Sequence, residues 1–138
     1  MGWKLCAILS AVFASLTALF AKIGVREINS NLATAIRVTV ILVFAWGIAF
    51  GTGVVGEIRT TSTKTWVFLV LSGIATGLSW LFYFRALQLG EASKVAPLDK
   101  LSVPLTIILS FLILGEAVTW QGIVGGLLIT AGVLVLLI

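Results

Sequence analysis

The chain has 138 residues, of which 60% are hydrophobic and only 10% charged, with a net charge of +4. A soluble globular domain carries about a quarter of its residues as charges, and no polar segment here offsets the apolar excess. A soluble enzyme or nucleic-acid-binding domain is therefore excluded, and the whole chain reads as an all-α integral membrane protein with membrane lipid as its first partner.

The first apolar run, residues 3–23, contains "WKLCAILSAVFASLTALFA". It is longer than the roughly 7–15 residues of a signal-peptide core, and further spans follow it, so it reads as a retained first span. "MGWKLC" lacks the Ser or Thr expected of a myristoylation signal. The second span covers 32–50 and contains Arg37. The loop "GTGVVGEIRTTSTK" separates it from a third span over 66–89, which Gly90 is expected to cap. The fourth covers 92–114, and Gly115-Glu116 turns the chain into a fifth over 117–138. Each is close to the roughly 20 apolar residues that cross a bilayer as a helix. No soluble tail is expected beyond the fifth, and residues 1–138 read as one transmembrane domain.

An odd number of spans puts the termini on opposite faces. Lys4, Arg59 and Lys64 fall on one face, and Lys22, Arg26, Arg85 and Lys94 on the other. Loop charge normally sets orientation through a clear bias of Lys and Arg. With almost none here, insertion in both orientations with antiparallel pairing, and a fixed orientation set by a weak bias or a partner, both stay open.

An ionisable side chain deep in a span costs about 2.5–3.5 kcal/mol on insertion scales. Arg37, Asp99 and Lys100 are such residues, whereas Arg85, Glu91 and Lys94 lie near span ends and read as anchors. At 1.5 Å per residue, Arg37 lies roughly 8 Å and Asp99 roughly 10 Å inside spans that start from the same face. Trp80 and Tyr83, on the third span, reach similar levels. One reading is a polar pocket for a small molecule formed by Arg37, Asp99, Lys100, Trp80 and Tyr83. The other is an Arg37–Asp99 ion pair that pins two helices while Lys100 snorkels outward. About 100° apart on a helix, Asp99 and Lys100 can face different neighbours.

Pro97 and Pro104 bracket these charges. Each removes a backbone donor and loosens the turn before it, and kinked helices with charges near the midplane are how transporters build sites. Small residues recur four apart at Gly47/Gly51, Gly73/Gly77 and Gly122/Gly126, the last extended by Thr130. This spacing lets helices approach closely. Gly122, Gly126 and Thr130 are candidates for a dimer seam, with packing inside one chain as the alternative. Glu116 is expected to stabilise the start of the fifth helix against its dipole. His is absent, Cys6 is the single cysteine, and no Ser/His/Asp set, metal-ligand spacing or phosphate loop occurs. No enzymatic activity, metal, cofactor or nucleic-acid partner is expected.

The stretch "YFRALQLGEASKVAPLDKLSVPLTIILSFLILGEAVTWQGIVGGLLITAGVLVLL" resembles the EamA domain of the drug/metabolite transporter superfamily. The resemblance rests on the small-residue turn before the fourth span, Pro104 within it, "LGE" at Leu114–Glu116, and Gly122, Gly126 and Gly132 along the fifth. Arg37 matches an arginine common in the second span of that family. "PLDKLSV" is similar to the short five-helix bacterial and archaeal subgroup, which places the chain in a bacterial or archaeal plasma membrane as a multi-pass protein. The resemblance implies half of an inverted-repeat transporter, completed by a homodimer (antiparallel insertion included) or by a small membrane-protein partner. The related small multidrug resistance proteins use a membrane-embedded glutamate where this chain has Arg37, which argues against export of drug-like cations. The expectation is a dimeric secondary transporter of small polar metabolites, anionic or zwitterionic, with Asp99 as the carboxylate able to exchange a proton. Half of an obligate heterodimeric transporter and a non-transporting structural or regulatory subunit are the alternatives.

Overall fold

A computed structural model describes residues 2–138. Among them there is no strand, and five helical segments are long and apolar enough to cross a membrane: Trp3–Gly24, Ser30–Gly51, Thr63–Leu89, Ala92–Leu114 and Trp120–Leu137. The five-helix, all-α class expected from the sequence is what the chain adopts. Helix α1 is Trp3–Gly24, α2 is Ser30–Gly51 and α3 is Thr63–Leu89. The fourth span comprises α4 (Ala92–Asp99) and α5 (Ser102–Leu109), and α6 is Trp120–Leu137.

Capping chemistry moves several boundaries from those expected. Asn29 accepts a hydrogen bond from the Asn31 N–H at 2.8 Å, so α2 starts at Ser30 rather than at the first apolar residue. Ser62 does the same for the Thr65 N–H at 3.2 Å, extending α3 back to Thr63. The fifth span starts at Trp120 and not at Ala117, because Thr119 is its N-cap and accepts from the Gly122 N–H at 3.1 Å. The dipole role expected of Glu116 is thereby displaced. No acidic residue lies in the first turn of α6, and the Glu116 N–H instead donates to the Ser110 carbonyl at 3.3 Å.

Gly115 has φ 67°, the left-handed conformation that glycine adopts without a steric penalty, and it ends a widened π-type turn over Ser110–Leu114. Gly90, expected as a similar cap, does not take a positive φ. The longest connection is partly helical: Gly53, at φ 74°, leads into a 3-10 helix over Val54–Thr60.

The fourth span is two helices joined by tight turns. Lys100 N–H bonds to Pro97 O at 2.9 Å, Leu101 to Leu98 at 3.1 Å and Val103 to Lys100 at 3.0 Å, all three residues apart. Pro104 has no N–H to offer the Lys100 carbonyl four residues back, and its ring crowds that carbonyl. The three-residue turns supply the bonds that an unbroken helix would have made.

The chain forms two compact units, one of residues up to Phe20 with Gly90–Ile138 and the other of Ala21–Leu89. In the second, α2 packs against α3 and the 3-10 helix lies along α2. In the first, α6 packs against α4 and α5. Few apolar side chains are buried by the chain itself: Ala18, Ala21, Val25, Ala33, Phe84, Leu87 and Val133. Large residues such as Phe44, Phe82, Leu112 and Leu127 point outward. In water such a surface would drive aggregation, whereas in hydrocarbon it needs no cover.

Candidate functional site

In the Ala21–Leu89 unit, α2 and α3 run side by side with the start of α2 near the end of α3. Arg37 projects from the third turn of α2 and is half-buried. Its guanidinium carbon lies 4.3 Å from the ring centre of Trp80 and 5.4 Å from that of Phe84. The negative face of each ring attracts the cation, which lowers the cost of holding it in a span. Phe84 is 3% exposed and Tyr83 meets it edge-on, ring centres 6.4 Å apart. The Tyr83 phenol is also near enough to act on the Arg37 charge. Sequence reasoning placed Trp80 and Tyr83 at this level but missed Phe84, one turn beyond Trp80, because an apolar residue in an apolar span carries no distinguishing signal.

Within residues 21–89 the Arg37 guanidinium makes no hydrogen bond. The rings of Trp80 and Phe84 lie against its charge, and a guanidinium is a planar fork of five N–H donors. That rigid fork matches a carboxylate or phosphate in bidentate geometry.

A polar cluster lies one turn further along α3. Gln88 Nε2 donates to the Val25 and Ile28 carbonyls at 3.2 and 2.9 Å, and Arg85 donates to Gln88 Oε1 at 2.9 Å. Lys22 Nζ donates to the Leu87 carbonyl at 2.6 Å, satisfying one of the carbonyls left open at a helix end. Val25 and Leu87 are fully buried beside these bonds. Arg85, expected to be an interfacial anchor, thus makes a specific side-chain bond. Gln88 could have been noticed as a lone carboxamide among apolar residues.

In the other unit, Asp99 and Lys100 bond to each other, Nζ to Oδ2 at 3.3 Å. The pair sits at the unwound step that the three-residue turns make around Lys100. Both keep substantial exposure, 39% and 55% of their side chains. They lie between Pro97 and Pro104, at the join of α4 and α5.

Between α5 and α6 runs a groove of about 400 Å³, lined by Pro104, Ile107, Phe111, Gly122, Gly126 and Thr130 among others. A Cβ on Gly126 would stand 3.5 Å from Ile107 Cδ1 and 3.7 Å from Pro104 Cβ. Gly126 therefore serves close approach within the chain, and Thr130 spends its hydroxyl on the Gly126 carbonyl at 2.8 Å. Gly122 leaves room for the Thr119 cap, whose Oγ1 would be 3.3 Å from an added Cβ. Around Gly47, Gly51, Gly73 and Gly77, by contrast, an added Cβ would meet nothing within 4 Å.

Comparison with known proteins decides the family. The profile of the EamA-like transporter family matches residues 1–138. This chain is a member of the EamA-like transporter family. An "uncharacterized transporter in cobO 3′ region" from Sinorhizobium sp is 50% identical over 135 residues, covering 98% of this chain and 96% of that one. An uncharacterized protein from Methanocaldococcus jannaschii is 31% identical over 80 residues, 58% of each chain. No solved structure matches. As an EamA-like protein with five spanning helices, the chain is a multi-pass membrane transporter, and family membership points away from enzymatic work.

Proposed function

We propose that this EamA-like protein is a secondary transporter of small polar metabolites bearing a carboxylate or similar anionic group, zwitterions included. It works in the plasma membrane as a dimer whose second copy supplies the other half of the transport path. The observation that carries the reading is Arg37, a permanent cation in a span with two aromatic rings against its charge and no hydrogen bond from its N–H groups within its own unit. A cation that only stapled helices would be expected to spend those donors on a neighbouring carbonyl or carboxylate, since a donor left unmet in hydrocarbon is costly. An anionic solute meets that need reversibly.

Asp99 and Lys100 largely cancel each other, so the net +1 of the three span charges resides at Arg37. The open glycine faces at Gly47/Gly51 and Gly73/Gly77 add a second pair of candidate surfaces for the partner copy to the Gly122, Gly126 and Thr130 stripe. Antiparallel pairing would bring two Arg37 sites into one assembly.

The test is counterflow in proteoliposomes with a labelled panel of small monocarboxylates, dicarboxylates and amino acids, each set against its neutral amide. Accumulation confined to the carboxylates supports the reading. Accumulation of organic cations, or equal handling of acid and amide, refutes it. Transport appearing only when a second small membrane protein is supplied would replace the homodimer by a heterodimer.

A further inference from the structure

Helix α3 is held at one end. Its buried residues are Phe84 and Leu87, and Gly73 and Gly77 further toward its start stand in open space. Apolar contact alone is a weak determinant of rotation for a helix in lipid, since hydrocarbon solvates any apolar side chain about as well as a neighbouring helix does. Directional bonds must fix which side of α3 faces α2.

Gln88 makes such bonds. A primary carboxamide offers two N–H donors and an oxygen acceptor. Here the nitrogen donates to both Val25 O and Ile28 O, and the oxygen accepts from Arg85. The two carbonyls belong to the loop that leads into α2. Trp80, Phe84 and Gln88 are spaced four residues apart and form one stripe along α3, with about 6 Å between successive positions. Arg37 sits over the first two members of that stripe. Turning α3 by one residue, about 100°, would carry both rings away from the guanidinium and break both Gln88 bonds to the loop carbonyls, while the bond from Arg85 on the same helix turns with it.

We propose that Gln88 is the positioning residue of the Arg37 site. By locking the end of α3 to the loop that opens into α2, it holds Trp80 and Phe84 against the guanidinium and so aims the N–H edge that takes the anion. Lys22, through the Leu87 carbonyl, braces the same end. The proposal rests on the reading of Arg37 as an anion site, but its test needs no ligand.

The experiment uses the full chain in detergent, with Trp3, Trp46, Trp66 and Trp120 replaced by Phe so that Trp80 is the one tryptophan, excited at a wavelength that Tyr83 does not absorb. Arg37→Gln defines the emission maximum and acrylamide quenching of the ring without its cation. Gln88→Met keeps the side-chain length and removes the three bonds. It is expected to move both readouts in the direction set by Arg37→Gln, while helix content by circular dichroism stays native. Arg37→Gln with Gln88→Met should add nothing to Arg37→Gln alone, and Arg85→Met should give a smaller shift of the same sign. An unchanged Trp80 signal in Gln88→Met, or a double variant equal to the sum of the two singles, would overturn the proposal. If Gln88→Met does not fold, Gln88→Asn, one methylene too short to reach the loop carbonyls, is read by the same criteria. Failure to transport any carboxylate would defeat the functional reading and leave this outcome intact. Arg37-dependent transport with native Trp80 emission in Gln88→Met would do the reverse.

Discussion

The guanidinium of Arg37 stands 4.3 Å from the ring centre of Trp80, on a neighbouring helix inside the membrane-spanning region. A desolvated cation on an indole face gains about 0.5–2 kcal/mol, enough to orient the side chain without cancelling its charge. An ion pair would do both and would leave less charge for a solute.

The first prediction follows from that difference. Trp80→Phe keeps a ring face and should raise the KM for a transported carboxylate by only a few-fold. Trp80→Leu removes it and should raise KM by up to about 30-fold, the equivalent of about 2 kcal/mol. Initial rates in proteoliposomes over a substrate series measure both.

Pro104 is expected to keep the fourth span in two pieces. Pro104→Ala restores an N–H able to reach the Lys100 carbonyl, so the three-residue turns at Lys100–Val103 should give way to regular helix. Amide hydrogen exchange at Leu101 and Val103 should slow in the variant. If the turns regularise, the Asp99–Lys100 bond, which sits at the unwound step, should weaken as the two side chains swing about 100° apart.

Gly126 and Gly73 should respond differently to bulk. Gly126→Ala places a Cβ in ordinary contact with Ile107 and Pro104 and should be tolerated, whereas Gly126→Leu collides with them and should lower the melting temperature in detergent. Gly73→Leu has space within the chain. It should leave the monomer's stability unchanged and, if that face meets the partner copy, reduce dimer cross-linking. Scanning calorimetry and lysine-directed cross-linking separate the two effects.

Asp99 is the carboxylate between the prolines and the group proposed to carry any proton coupling. Asp99→Asn should abolish uptake driven by a pH gradient while leaving counterflow, which needs no gradient, near native. Gradient-driven uptake that persists in the variant would remove Asp99 from the coupling.

Much of this arrangement is legible in the sequence because lipid imposes simple rules. Span lengths follow from apolar runs, and Arg37 draws notice because a cation within such a run is costly. Trp80 could be placed beside it by counting residues from a shared membrane face. The start of α6 was not legible in the same way: Ala117 and Val118 are apolar enough to continue a helix, but the Thr119 hydroxyl sets the boundary. Nor did regular spacing foretell that Asp99 and Lys100 would meet, since neighbours on a regular helix point about 100° apart. Gln88 escaped notice because its partners are backbone carbonyls 60 and 63 residues away, which leave no mark in composition or periodicity.

The most direct test of the central claim compares native protein, Arg37→Lys and Arg37→Gln in carboxylate counterflow, at matched amounts reconstituted in proteoliposomes. Arg37→Gln should lose accumulation, and Arg37→Lys, which keeps the charge but not the planar fork, should retain weak transport with a raised KM. Native accumulation in Arg37→Gln would contradict the account and leave Arg37 as a helix staple.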